Sequence, residues 1–116
     1  TTTDAGYLLN VNGQIASTSI ITQSGTISGS LTSGTFYTGF TATQGMFLVW
    51  SRLPAGGGDI NYTASCIVIC DGAAARITSL TGVSCSIQLS GLNVQFNQSS
   101  GATQPSIVWY YLKIMG

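Results

Sequence analysis

The chain has 116 residues and a mass of 12.0 kDa, near the commonest size for a single domain. Its three basic and three acidic residues cancel and make up only 5% of the sequence, against roughly a quarter in an average domain. That excludes the basic stripe a nucleic acid requires and the polybasic footprint of an anionic membrane surface. Without His or Glu, it also excludes most chemistry that needs a group titrating near neutrality.

The first segment to read as structure is Tyr7 to Val11, which Asn12-Gly13 turns into a hairpin, since Asn-Gly supplies both positive φ angles of a type I′ turn. Thr26 to Leu31 alternates with Ile27, Gly29 and Leu31 on one face, and Phe36, Thr38 and Phe40 are expected to share a face of the next strand. Met46 to Trp50 is apolar on both faces, the mark of a central strand or one pinned between subunits. Ala55 to Gly58 reads as a flexible loop ending at Asp59.

Thr63 to Cys70 is a strand, turned at Asp71-Gly72 into a return strand, Ala73 to Leu80. Cys85, Ile87 and Leu89 then face inward, with Ser84, Ser86, Gln88 and Ser90 outward. At Ser90-Gly91 the phase slips by one, and Leu92, Val94 and Phe96 take the inward side, which predicts a bulge or a sharp bend. After a polar loop from Gln98 to Gln104, Pro105 introduces a last strand, Ser106 to Met115, apolar on both faces. Polar and glycine punctuation at roughly eight- to twelve-residue spacing, with no sustained helical stripe, predicts an all-β antiparallel sandwich or jelly roll.

Residues 1–33 are poorer in bulky apolar groups and are expected to be a β leader or shaft connection, with residues 34–116 forming the main domain. The chain lacks an initial Met and a visible signal peptide, so its first residue is expected to be a cut inside a longer protein. Its apolar runs are far shorter than the ~20 residues of a spanning helix, so no membrane insertion is expected. A neutral surface favours association, which predicts an oligomer.

Cys66, Cys70 and Cys85 are an odd number. Cys66 and Cys70 share a strand face roughly 13 Å apart, too far to bridge each other. With no His and no CxxC pair, neither a disulfide framework nor a metal site is indicated, and buried free thiols are expected. Their use points to synthesis in a reducing compartment.

From Thr41 onward the order of elements carries a resemblance. It comprises Gly45-Met46-Phe47-Leu48-Val49-Trp50, the strand–turn–strand Ala64 to Leu80, Ser86-Ile87-Gln88-Leu89-Ser90-Gly91-Leu92-Asn93-Val94-Gln95-Phe96-Asn97, and the ending Trp109-Tyr110-Tyr111-Leu112-Lys113-Ile114. Over about two thirds of the chain this resembles the C-terminal tips of bacteriophage tail fibres, tailspikes and tail needles. In those tips a small jelly roll, similar to the tumour-necrosis-factor and C1q folds, closes a trimeric shaft. One departure is Lys113, where Arg is expected near the end. The resemblance implies a homotrimer, a place in the virion tail after synthesis in the host cytoplasm, and no enzymatic activity or cofactor. It also implies host attachment, through surface polysaccharide or an outer-membrane protein, or stabilisation of the fibre end.

For a glycan the chemistry would be aromatic rings against sugar faces, with polar side chains for the hydroxyls. Tyr37, Arg52, Asp59, Asn61 and Tyr62, on or beside loops, are the candidates, although such aromatics more often serve packing. Phe47, Val49, Trp50, Trp109 and Tyr111 are assigned to the core or the trimer axis. Asp71 before Gly72 is a turn residue, and Gly56-Gly57-Gly58 lacks the Lys and Ser/Thr of a phosphate loop. The sequons at Asn61 and Asn97 decide nothing in so Ser/Thr-rich a chain. The rival readings are a purely structural trimerisation cap, a cellular adhesin or ligand of tumour-necrosis-factor or C1q type, and a hydrolase pairing Asp59 with Asp71.

Overall fold

The computed structural model describes residues 20–54 and 62–114. They form β1 (Ile20–Leu31), β2 (Tyr37–Thr41), β3 (Gly45–Arg52), β4 (Thr63–Cys70), β5 (Ala75–Val83), β6 (Cys85–Ser90), β7 (Asn93–Gln98) and β8 (Gln104–Ile114). Every pairing is antiparallel. Five strands make one sheet in the order β1-β8-β3-β4-β5, and three make a second, β2-β7-β6. The all-β antiparallel expectation therefore holds, and the two sheets share one apolar cluster as the layers of a sandwich do. The expected hairpin at Tyr7–Val11 and the Ala55–Gly58 loop lie outside the described residues.

Strict alternation places the core. On β3, Phe47, Val49 and Ser51 point between the sheets, and on β4 Ala64, Cys66, Val68 and Cys70 do so. Val94 and Phe96 of β7 close the cluster from the opposite side. Its centre is aromatic. Phe40 lies 5.0 Å from Trp109 and 4.6 Å from Tyr111, and Phe96 stacks on Trp109 at 6.1 Å with a 10° interplanar angle. All three cysteines are buried free thiols, as expected.

Several local expectations are corrected. β2 does not present Phe36, Thr38 and Phe40 on one face. A register shift between Thr38 and Phe40 leaves Gly39 as an extra residue, so Tyr37 opposes Phe96, Phe40 opposes Val94, and both pack inward while Thr38 is exposed. The return strand runs from Ala75 to Val83, later than expected, because Asp71 organises a longer turn: its Oδ1 accepts the N–H groups of Ala73 and Ala74, each at 2.8 Å. The phase slip at Ser90-Gly91 is a hairpin, since Ser90 pairs directly with Asn93 and Gly91 takes a φ of 63°.

The last strand begins at Gln104 and contains Pro105. Proline cannot donate to a ladder, and here β1 bulges opposite it between Ser28 and Leu31, with Gly29 at a φ of 130°. β8 is also not buried from both sides in the single chain. Ile107, Trp109 and Lys113 are buried on the inner side, while Val108, Tyr110, Leu112 and Ile114 line the other and stay partly open. Lys113 ends up buried at one edge of the core. Its Nζ donates to Thr43 Oγ1 and sits 5.3 Å from the centre of the Phe47 ring, a cation–π contact. Residues 20–31, expected within the leader, form β1 and pair along the length of β8, so the sheet begins upstream of residue 34.

Candidate interaction surface

An antiparallel sheet with one wet face normally alternates apolar and polar residues. Three strands of the five-stranded sheet break that rule, and register puts their outward residues side by side. Met46 pairs with Ile69 on one flank and Ile114 on the other; Leu48 pairs with Ile67 and Leu112; Trp50 pairs with Ser65 and Tyr110. Ile20 of β1 extends the first row through Ile114. Met46, Leu48, Trp50, Ile69 and Ile114 are each between 41% and 57% exposed. This is a continuous apolar surface of the kind that marks an interaction site.

Its relief comes from the aromatic row. Trp50 stacks on Tyr110 at 4.4 Å with a 16° interplanar angle, and Arg52 Nε donates to the Tyr110 hydroxyl at 3.0 Å. Beside this stack, toward β1, lies a groove of about 480 Å³ that Leu48, Trp50, Tyr110 and Leu112 line with Thr22 and Ser24. A smaller depression of about 180 Å³ is lined by Met46, Leu48, Ile67, Leu112 and Ile114. Arg52 at one end and Arg76, paired with Ile69 on β5, at the margin are charged groups beside these rows, and between them the face offers dispersion and ring stacking.

The opposite face of the molecule, the outside of β2-β7-β6, is built from amides and hydroxyls. Gln88 Nε2 donates to Gln95 Oε1 at 2.9 Å, and Gln95 Nε2 passes the chain on to Thr38 Oγ1 at 3.1 Å, crossing all three strands. To one side of that row Asn97, itself buried, donates from Nδ2 to Ser86 Oγ at 2.9 Å, and on the other Thr41 Oγ1 donates to Asn93 Oδ1 at 2.9 Å.

The structure distributes the sequence-derived candidates over separate places. Tyr37 and Tyr62 pack against the core, and the Tyr37 hydroxyl accepts the Thr32 N–H at 2.9 Å. Arg52 belongs to the apolar face through Tyr110. Asp59 and Asn61 lie outside the described residues. Of the residues assigned to core or axis, Phe47, Val49 and Trp109 are buried and Tyr111 packs against them. Trp50 is not core: at 41% exposure it stands on the outer face, because β3 alternates and Trp50 is out of phase with Phe47 and Val49. Met46, Leu48 and Ile114 were legible only as one face of two-sided apolar strands, and Ile69 only as part of the strand Thr63 to Cys70. Among the described residues, no group of three metal-ligating side chains comes together. No protein-family model, no curated protein and no solved structure matches the chain.

Proposed function

We propose that this chain is the distal domain of a bacteriophage tail fibre, tailspike or tail needle, a non-enzymatic homotrimer on the virion tail. It either attaches to bacterial surface polysaccharide or an outer-membrane protein, or caps the fibre. The observation that carries this reading is the uncovered apolar face of β4, β3 and β8. Large side chains between 41% and 57% exposed gain about 25 cal/mol for each Å² of apolar surface withdrawn from water. An identical chain offers a matching cover that needs no ionic complementarity.

A cyclic trimer makes a heterologous contact, one patch against a different one. The chain exposes two such patches: the sheet face, and the far margin at β5 where Leu80 is 49% and Val83 50% exposed. The pairing of β1 with β8 and of β2 with β7, first with last and second with second-last, supports the jelly-roll reading. The consecutive β3-β4-β5 ladder would be this chain's own variation on it. The phage assignment rests on the resemblance of residues 41–116. A purely structural cap is the second reading, favoured by Tyr37 and Tyr62 being turned into the core.

Light scattering and native mass spectrometry test the proposal. The expected mass is three times the 12.0 kDa of the chain. Leu48→Glu should give a folded monomer, since Leu48 is already 46% exposed within one chain. A monomeric or dimeric parent, or a Leu48→Glu protein that stays trimeric, overturns it.

A further inference from the structure

We infer that the open edge of β1 is the docking site of this chain's own residues 1–5, brought back by a hairpin at Asn12-Gly13 as a sixth strand of the larger sheet. This goes beyond the reading above and depends on neither the phage assignment nor the trimer. β1 and β5 are the two margins of that sheet, and a bare strand edge invites further pairing unless it is blunted. β5 is blunted: it carries Arg76, and its register against β4 shifts between Ser65 and Cys66, leaving Leu80 as an extra residue. β1 is not. From Ile20 to Ser28 it pairs with β8 without a shift and holds neither charge nor proline.

Backbone parity tells which groups wait at that edge. In an antiparallel ladder a residue directs its N–H and C=O to one neighbouring strand, and the direction alternates along the chain. The Leu53 N–H donates to Tyr62 O at 3.1 Å, one step beyond the Arg52–Thr63 pair. Phe47, Val49 and Ser51 therefore bond to β4, while Met46, Leu48 and Trp50 bond to β8 at Ile114, Leu112 and Tyr110. That leaves Lys113, Tyr111 and Trp109 of β8 to bond Ile21, Gln23 and Gly25 of β1. The N–H and C=O groups of Ile20, Thr22 and Ser24 consequently point out of the sheet.

The Asn12-Gly13 turn selects the occupant. A two-residue hairpin loop makes Val11 and Gln14 a hydrogen-bonded pair, and alternation carries this to Leu9–Ala16, Tyr7–Thr18, Ala5–Ile20 and Thr3–Thr22. Turn and sheet agree: the β1 residues that this register would bond are those whose backbone groups face outward. A slip of one residue would set the two against each other. The same register puts Tyr7, Leu9 and Val11 on the side of Ile20, whose partner Ile114 belongs to the apolar rows.

Amide hydrogen exchange followed by NMR tests this on the full chain and on one lacking residues 1–11. In the full chain the amides of Ile20, Thr22 and Ser24 are expected to exchange as slowly as those of Ile21 and Gln23. Without residues 1–11 they should exchange at least about tenfold faster, while Ile21 and Gln23 stay slow and report an intact sheet. Thr3→Cys/Thr22→Cys checks the register, since paired Cα atoms about 5.5 Å apart suit a disulfide. A mild thiol oxidant should close it within one chain, and should leave Asp4→Cys/Thr22→Cys open. If the shortened chain loses protection at Ile21 as well, the cross-link decides alone. Fast exchange at Ile20, Thr22 and Ser24 in the full chain overturns the inference. So does protection that survives the truncation, because a second copy or another partner then covers the edge. A disulfide that joins two chains also refutes it, because the added strand then comes from a neighbour.

Discussion

At Gly39 a single missing Cβ sets the geometry of the aromatic core. A Cβ built there would lie 2.4 Å from Phe96 Cε1 and 2.9 Å from Trp109 Nε1, within two stacked rings that have no room to give. The same residue is the extra one in the β2 register shift, so it both bends the strand and admits the rings. Gly39→Ala is expected to cost about 1–3 kcal/mol, the usual penalty for overpacking, read from urea midpoints. A variant within about 0.5 kcal/mol of the parent would show that β2 is free to shift. Gln98 carries a comparable burden by polar means. Fully buried, its amide donates to Leu31 O at 3.0 Å and Ala102 O at 2.8 Å and accepts the Ser100 N–H at 2.9 Å. It thereby ties the β1–β2 connection to the β7–β8 connection.

Among the elements, β1 carries more than a leader should. Its register with β8 runs from Ile20↔Ile114 to Leu31↔Gln104. Removing it would bare the β8 edge, and an exposed, uncharged edge is a template for aggregation. A chain beginning at Gly34 is therefore expected to be insoluble or to form larger assemblies by light scattering, whereas a soluble, cooperatively melting product would make residues 34–116 an autonomous domain. Sequence reading placed β4 and β6 well, because glycine and turn signals bound both and β6 alternates without interruption. It erred where glycine sits inside a strand or turn: at Gly39 the bulge inverted the face of Tyr37, and at Gly91 a tight hairpin read as a bend. Alternation is a local signal, and a single extra residue flips everything after it. The apolar interaction surface was legible as strands with two greasy sides. Which residues were outside was not, since both faces of β3 and β8 carry large apolar side chains, and only the position of the second sheet distinguishes them. Gln98 and Lys113 were invisible as interior residues, because burial of a polar side chain depends on partners distant in sequence.

For the whole molecule, poverty of charge becomes a prediction about pH and salt. Among the described residues the only carboxylate side chain is Asp71, fully exposed and held below its ordinary range by the Ala73 and Ala74 N–H groups. A depressed carboxyl contributes stability above its unfolded value and loses it as pH falls through the lowered one. The thiols act at the other end. Burial pushes Cys66 up from 9.0 to about 12 and Cys85 from 9.0 to about 11, so their contribution is intact below pH 9.0 and is lost as pH rises through the folded values. Between roughly pH 5 and 8.5 nothing among these groups changes its charge, and few exposed ion pairs exist for salt to screen. Urea midpoints measured at fixed protein concentration, because assembly links stability to mass action, are expected to stay flat across that window and between low and high salt. They should fall above pH 9, where iodoacetamide begins to label Cys66 and Cys85 as the chain opens. A maximum inside the window, or a clear salt dependence, would mean that ionic groups contribute more to this fold than their number allows. Labelling of either thiol at pH 8 without unfolding would mean that the sandwich opens locally around β4 and β6.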